Sequence, residues 1–178
     1  MKNSLGLDYD GMIHLAYLVA KRGDYSHFDL EKRKSIFWAI FYFSNKVKAK
    51  IRTIVIDKKY LNKKMQLNSA LAKEIGQFIN DNIDYIDSFD KVVIYYDNGQ
   101  ETLATILDTL FATKSNVERR IEFDHKSKRL FQVSDMLTEI DKLDYKRKNN
   151  IPFTKAEKYF FNGKDFRHII NLLKKKRI

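Results

Sequence analysis

The sequence contains no cysteine, a single proline and six glycines. Without cysteine the chain has no disulfide, no thiolate metal site and no cysteine nucleophile, which suits a reducing cytoplasm. The scarcity of proline and glycine leaves no flexible linker, so we expect all 178 residues to form one domain. The apolar run at residues 12–20 is too short to span a membrane, and the acids before it are unlike a signal peptide. The sequence therefore predicts a cytoplasmic protein with no membrane partner.

The charge of the chain is strongly one-sided. It has 34 Lys and Arg residues against 23 Asp and Glu residues, a formal net charge of +11. A field of this sign attracts polyanions, nucleic acid above all. The Lys-rich surface of an ordinary soluble protein accounts for the same charge, so composition alone leaves both interpretations open.

The order of predicted elements indicates an α/β domain with an at least partly parallel sheet. Asp29 is placed to cap a helix that begins at Leu30. The apolar strand that ends at Asp97 has the pattern of a central strand, buried on both faces. Strands are predicted at residues 51–57, 91–97 and 117–123. Further helices are predicted at residues 65–86, 101–111, 129–143, 154–161 and 164–176.

Asp97 is the first candidate site residue. It lies at the carboxyl end of a predicted strand, where parallel sheets place their ligand sites. Carboxylates gathered at such an edge can hold the divalent metals that hydrolyse phosphodiesters. A turn-forming aspartate next to Asn-Gly is the ordinary use of the same residue, so the pattern alone does not decide between the two.

Asp135 is the second candidate. It lies beside the apolar stripe of its predicted helix, with Gln132 and Glu139 as neighbours on one face. A carboxylate at the edge of a buried face is costly unless it is paired or bound to metal. An ion pair with a lysine is the alternative. Among the histidines only His125, just before this helix, is kept as a site candidate.

Basic segments flank the predicted Asp135 helix. They could line a path for phosphates, although a solvated basic edge explains them equally well. The candidate nucleic-acid-binding residues in these segments are Arg119, Arg120, Lys126, Lys128 and Arg129.

The motifs "IYYDNGQ" (94–100) and "LFQVSDML" (130–137), with a Val-Glu strand between them, resemble domain-of-unknown-function family 3800. The resemblance implies an RNase H-like three-layer α/β domain with a mixed sheet, and a helical C-terminal extension from about residue 152. It also implies a metal-dependent nuclease from mobile-element or phage-defence biology. In that nuclease Asp97 and Asp135 are catalytic and hold Mg²⁺ or Mn²⁺. Beside this implied pair, Glu139 on the Asp135 face is a weaker metal-ligand candidate, and Gln100 is a further site candidate.

The chain departs from this family at its beginning. Family members open with a hydrophobic strand ending in Asp-Glu-Ser-Gly, and only "MKNSLGL" precedes Asp8 here. The resemblance therefore implies a shortened member that lacks the usual first strands and is weak or inactive as a nuclease. Its exposed sheet edge could pair with a second copy as a homodimer. The alternatives are a non-catalytic nucleic-acid-binding protein and a protein-interaction module.

Overall fold

The computed structural model describes residue 9 and residues 11–56, 64–97, 101–122 and 129–178. Helix accounts for 65% of the chain and strand for 7%, and the described strands form one two-stranded sheet. The predicted RNase H-like three-layer α/β domain with a mixed sheet is therefore wrong. The reason is that most apolar faces are buried by other helices rather than by a sheet.

The described helices, in chain order, are α1 (Leu15–Ala20), α2 (Leu30–Lys46), α3 (Lys64–Asp81), α4 (Ile83–Asp87), α5 (Glu101–Leu110), α6 (Arg129–Lys148), α7 (Lys155–Phe160) and α8 (Gly163–Lys174). The strands are β1 (Val92–Asp97) and β2 (Val117–Glu122). Packing divides the chain into two compact units. The larger unit comprises Met1–Thr53 and Asp124–Ile178, and the smaller unit comprises Ile54–Phe123. Among the described helices, none combines the length and apolar character needed to cross a lipid bilayer.

The larger unit is a helical assembly in which α6 packs against α1 and α2. Asp29 caps α2 as predicted, since its carboxylate accepts a hydrogen bond from the Lys32 backbone N–H at 2.7 Å. Buried residues repeat at helical spacing, so one face of each long helix enters a common core. That core includes Ile36, Phe37, Ile40 and Phe41 from α2, Met136 and Ile140 from α6, and Phe160, Phe166, Ile169 and Leu173 from the region of α7 and α8.

Arg33 is the buried cation of this core, with 3% of its surface exposed. Its guanidinium donates to the carbonyl oxygens of Leu18 at 2.8 Å and Val19 at 3.1 Å, which end α1. It also lies over the Phe160 ring, 5.7 Å from the centroid. Arg33 therefore joins α1, α2 and α7 while satisfying carbonyls that helix α1 leaves unpaired.

Replacing Arg33 by methionine keeps an unbranched apolar stem and removes the guanidinium donors. We expect Arg33→Met to lower the free energy of unfolding by about 2–4 kcal/mol, because buried carbonyls lose their partners. Urea unfolding measures the change, and Lys32→Met on the same helix should change it by less than about 0.5 kcal/mol. Equal effects of the two substitutions would show that Arg33 does not join these helices.

Helix α7 begins with a capping box. The Thr154 side chain accepts from the Glu157 backbone N–H, and the Glu157 carboxylate accepts from the Thr154 backbone N–H at 2.7 Å. The same carboxylate binds Lys146 Nζ of α6 at 2.7 Å. Burial alone would raise the pKa of Glu157, but the bonds from Lys146 and Thr154 outweigh it and hold the pKa below its ordinary value. The charged form of Glu157 therefore stabilises the fold.

This lowered pKa predicts a pH-dependent contribution to stability. The contribution is complete above the unfolded-state pKa of about 4.3 and is lost as the pH falls through the lower folded-state value. We expect Glu157→Gln to cost about 1–2 kcal/mol at about pH 7 and much less at about pH 3. Urea unfolding at both pH values measures this, with the exposed Glu31→Gln on α2 as control. A cost that does not change with pH would contradict the assignment.

The smaller unit contains a strand–helix–strand arrangement. β1 and β2 pair in parallel, with Val92 opposite Val117 and Asp97 opposite Glu122. Helix α5 connects them, as a parallel pair requires. Beside the sheet, Ile79, Leu107 and Phe111 form a small core with partly buried neighbours from α3, α4 and both strands. The predicted strands at 91–97 and 117–123 and the predicted helix at 101–111 are confirmed to within one residue.

Three local predictions are wrong. The strand predicted at residues 51–57 is absent from residues 52–56, and Ile51 forms only an isolated β-bridge with Arg177. The predicted helix at 65–86 is divided at Asn82, whose backbone leaves the helical region with φ −121° and ψ 19°. β1 is not a doubly buried central strand, since Tyr95 is 42% exposed on a sheet that has two described strands.

Candidate nucleic-acid interface

The two candidate carboxylates belong to different units. Asp97 ends β1 in the smaller unit, and Asp135 lies on α6 in the larger unit. The backbone register places Glu122, not Asp135, directly opposite Asp97. Glu122 was not among the candidates predicted from the sequence, although parallel pairing of residues 91–97 with 117–123 indicates it. The catalytic pair Asp97 and Asp135 stays a prediction.

Asp135 has protein partners that explain its place at the edge of the apolar face. Its Oδ2 accepts from the backbone N–H of Leu15, the first residue of α1, at 3.1 Å. The same oxygen lies 3.7 Å from Nδ1 of His14. A carboxylate at a helix N-terminus satisfies an orphan donor and opposes the positive end of the helix dipole. Asp135 therefore acts as a cap for α1 that comes from another helix.

The neighbours of Asp135 on α6 are also engaged by protein. Glu139 pairs with Lys142 Nζ at 2.6 Å, and the buried Gln132 accepts from Arg129 Nη1 at 3.0 Å. Across the described residues, no group of three or more His, Asp or Glu side chains could hold a metal ion. The predicted ligation of Mg²⁺ or Mn²⁺ by Asp97, Asp135 and Glu139 stays a prediction.

Some candidate residues lie outside the described part of the chain, namely Gln100, His125, Lys126, Lys128 and the side chains of Asp97 and Arg119. Of the described basic candidates, Arg120 binds Glu118 with Nε 2.6 Å from Oε1. Hydrogen bonds from Arg120 and then from Lys91 lower the pKa of Glu118 to about 2. Arg120 therefore acts within the sheet as the partner of a neighbouring acid.

A different basic surface is assembled in the larger unit. The chain after α2 runs beside the segment after α8, with Ile51 N–H bonded to Lys176 O at 2.9 Å and Ile178 N–H bonded to Ile51 O at 3.2 Å. The contact brings together two Lys- and Arg-rich runs that are far apart in sequence. We call this surface the basic cluster: Lys46, Lys48, Lys50, Arg52, Lys174, Lys175, Lys176 and Arg177.

Three residues of the basic cluster hold its two segments together. The Arg177 guanidinium binds the buried carboxylate of Asp141 on α6, which also accepts a hydrogen bond from the Thr53 hydroxyl. Lys176 Nζ donates to the Val47 carbonyl, and Arg52 Nη1 donates to the Ile178 carbonyl at 3.4 Å. These three cations therefore stabilise the fold, and they hold in place the two segments that carry the other lysines of the basic cluster.

Four lysines of the basic cluster differ from these three in that they take no part in holding the segments together. Lys46, Lys48, Lys174 and Lys175 are exposed, and in the described part of the chain no carboxylate pairs with them. These lysines were not among the candidates predicted from the sequence. The runs "KVKAKIR" (46–52) and "KKKR" (174–177) carried the signal, but no local pattern indicates that they meet.

Comparison of the sequence with protein-family models and with curated proteins, and of the structure with solved structures, found no match. The resemblance to domain-of-unknown-function family 3800 therefore rests on the quoted motifs alone. The interpretation of function depends on the residues of this chain.

Capping by Asp135 and metal ligation by Asp135 predict different results. We expect Asp135→Ala to lower the free energy of unfolding by about 1 kcal/mol, as the loss of a cap does, and Asp135→Asn to lower it less because its amide oxygen still accepts. Because the partner is a backbone N–H, the loss should be the same in Mg²⁺ and in EDTA. Thermal unfolding measures both conditions, with Glu139→Ala as control. Stabilisation by Mg²⁺ that disappears in Asp135→Ala would contradict capping.

Proposed function

We propose that this chain binds nucleic acid without catalysis, through the basic cluster of its larger unit. The distribution of charge is the observation that carries the proposal. The larger unit holds 25 of the 34 basic and 12 of the 23 acidic residues, a net +13. The smaller unit holds 9 basic and 11 acidic residues, a net −2. A charge confined to one unit produces a local field that attracts a polyanion.

The clustering of exposed lysines supports a binding surface over a surface that is merely rich in lysine. Four lysines elsewhere in this unit are paired with nearby acids, namely Lys34–Asp165, Lys142–Glu139, Lys146–Glu157 and Lys148–Asp144. The four exposed lysines of the basic cluster instead share a surface where the anchored cations add to the field. Such a surface repels itself until an anionic partner neutralises it.

A metal-dependent nuclease gains no support from the described contacts. The RNase H-like fold on which that hypothesis depended is wrong, and Asp135 is explained by its bond to the N-terminus of α1. We accordingly propose binding rather than hydrolysis, in the cytoplasm that the absence of cysteine indicates.

Binding of this kind depends steeply on salt, because each lysine–phosphate contact releases counterions. For four contacts we expect a plot of log affinity against log salt to have a slope of about −3 to −4. The triple substitution Lys48→Gln, Lys174→Gln and Lys175→Gln should reduce the steepness by about 2 to 3 and weaken binding at low salt. Fluorescence anisotropy with labelled oligonucleotides measures both quantities.

The matched control removes the same charge from exposed positions outside the basic cluster. Lys73→Gln, Lys155→Gln and Lys164→Gln also lower the net charge by three, and we expect them to leave most of the slope in place. Equal losses from the two triple variants would mean that binding follows net charge alone. Affinity that does not respond to salt would overturn the proposal.

A further inference from the structure

Helices α2 and α8 lie side by side and run in the same direction. Lys34 Nζ of α2 is 3.2 Å from Asp165 Oδ2 of α8, and the rings of Trp38 and His168 have centroids 6.5 Å apart. Beyond the helices, Lys176 donates to the Val47 carbonyl. Lys34, Trp38 and Val47 thus contact Asp165, His168 and Lys176 in the same chain order. The face formed by α2 and α8 therefore continues into the basic cluster.

Aromatic rings lie on this face immediately before the lysines. Trp38 and Tyr42 are stacked, with centroids 5.6 Å apart and an interplanar angle of 25°. Tyr42 is 50% exposed, and His168 is also exposed. Trp38, Tyr42 and Lys46 follow each other at intervals of four residues, so they line one side of α2. An exposed ring therefore stands one helical turn from the first ammonium of the basic cluster.

We propose that this face binds single-stranded nucleic acid, with a base stacked on Tyr42 and the adjacent phosphates on the lysines of the basic cluster. The inference rests on the proposed function and names the ligand class for the same surface. Proteins that bind single strands without sequence preference stack bases on aromatic rings and bind the phosphates with a row of basic side chains. In a duplex the bases are already stacked on each other, so a duplex can use the lysines but not the ring.

The ring stack also gives this site its own optical signal. Trp38 is the only tryptophan of the chain, so its fluorescence reports on the Tyr42 face. A base that stacks on this face lies within reach of the Trp38–Tyr42 pair and quenches the emission. A strand bound elsewhere through its phosphates leaves the emission nearly unchanged.

The experiment titrates the protein with an oligothymidylate of about 12 nucleotides and, separately, with its duplex. Anisotropy gives the affinities and Trp38 emission gives the stacking. We expect the single strand to quench Trp38 and the duplex not to. Tyr42→Ala should weaken single-strand binding by roughly 5- to 100-fold and duplex binding by less than about 2-fold. Tyr42→Phe should keep the single-strand affinity.

Tyr159→Ala is the matched control, because Tyr159 is an exposed tyrosine on another helix of the same unit. We expect it to change neither affinity. Salt-dependent binding that is equal for both polymers and insensitive to Tyr42→Ala would overturn the single-strand inference and leave the proposed function standing. Polyglutamate bound as tightly as the oligothymidylate would also overturn it, in favour of an acidic protein partner. No salt-dependent binding to either nucleic acid would overturn both proposals.

Discussion

The carboxylate of Asp141 organises the surface of the larger unit. It is buried on α6 and binds the Arg177 guanidinium and the Thr53 hydroxyl, which come from the C-terminal ends of this unit's two chain segments. A buried carboxylate is costly without such partners, so the interaction ties both segments to α6. The backbone bonds between Ile51 and the segment 176–178 then align the two basic runs. The basic cluster depends on this arrangement, because like charges would otherwise separate.

The two units differ in the way they are built and also in their net charge. The larger unit buries its aromatic residues between helices, with Phe37 in contact with Phe41, Phe160 and Phe161. The same unit carries 25 basic and 12 acidic residues. In the smaller unit, Lys91, Lys114 and Arg120 all bind acids. The excess of positive charge therefore lies in the larger unit.

Features that depend on neighbouring residues could be predicted from the sequence. The cap by Asp29, the periodicity of α2 and the strands that end at Asp97 and Glu122 are local patterns, and all are present in the structure. The strand predicted at residues 51–57 is absent from residues 52–56, because β-branched residues form a strand only where a partner strand is available. Asp135 was correctly placed at the edge of a buried face, but its partner Leu15 lies 120 positions away. The basic cluster was missed for the same reason, since the Asp141–Arg177 ion pair and the Ile51–Arg177 bridge join residues that are far apart in sequence.

Lysine footprinting tests whether nucleic acid binds at the basic cluster of the larger unit. Acetylation of each lysine is measured by mass spectrometry with and without a bound oligonucleotide. We expect protection of Lys46, Lys48, Lys174 and Lys175, while the exposed Lys73, Lys155 and Lys164 react at unchanged rates. Protection spread evenly over all exposed lysines, or confined to the second group, would contradict it.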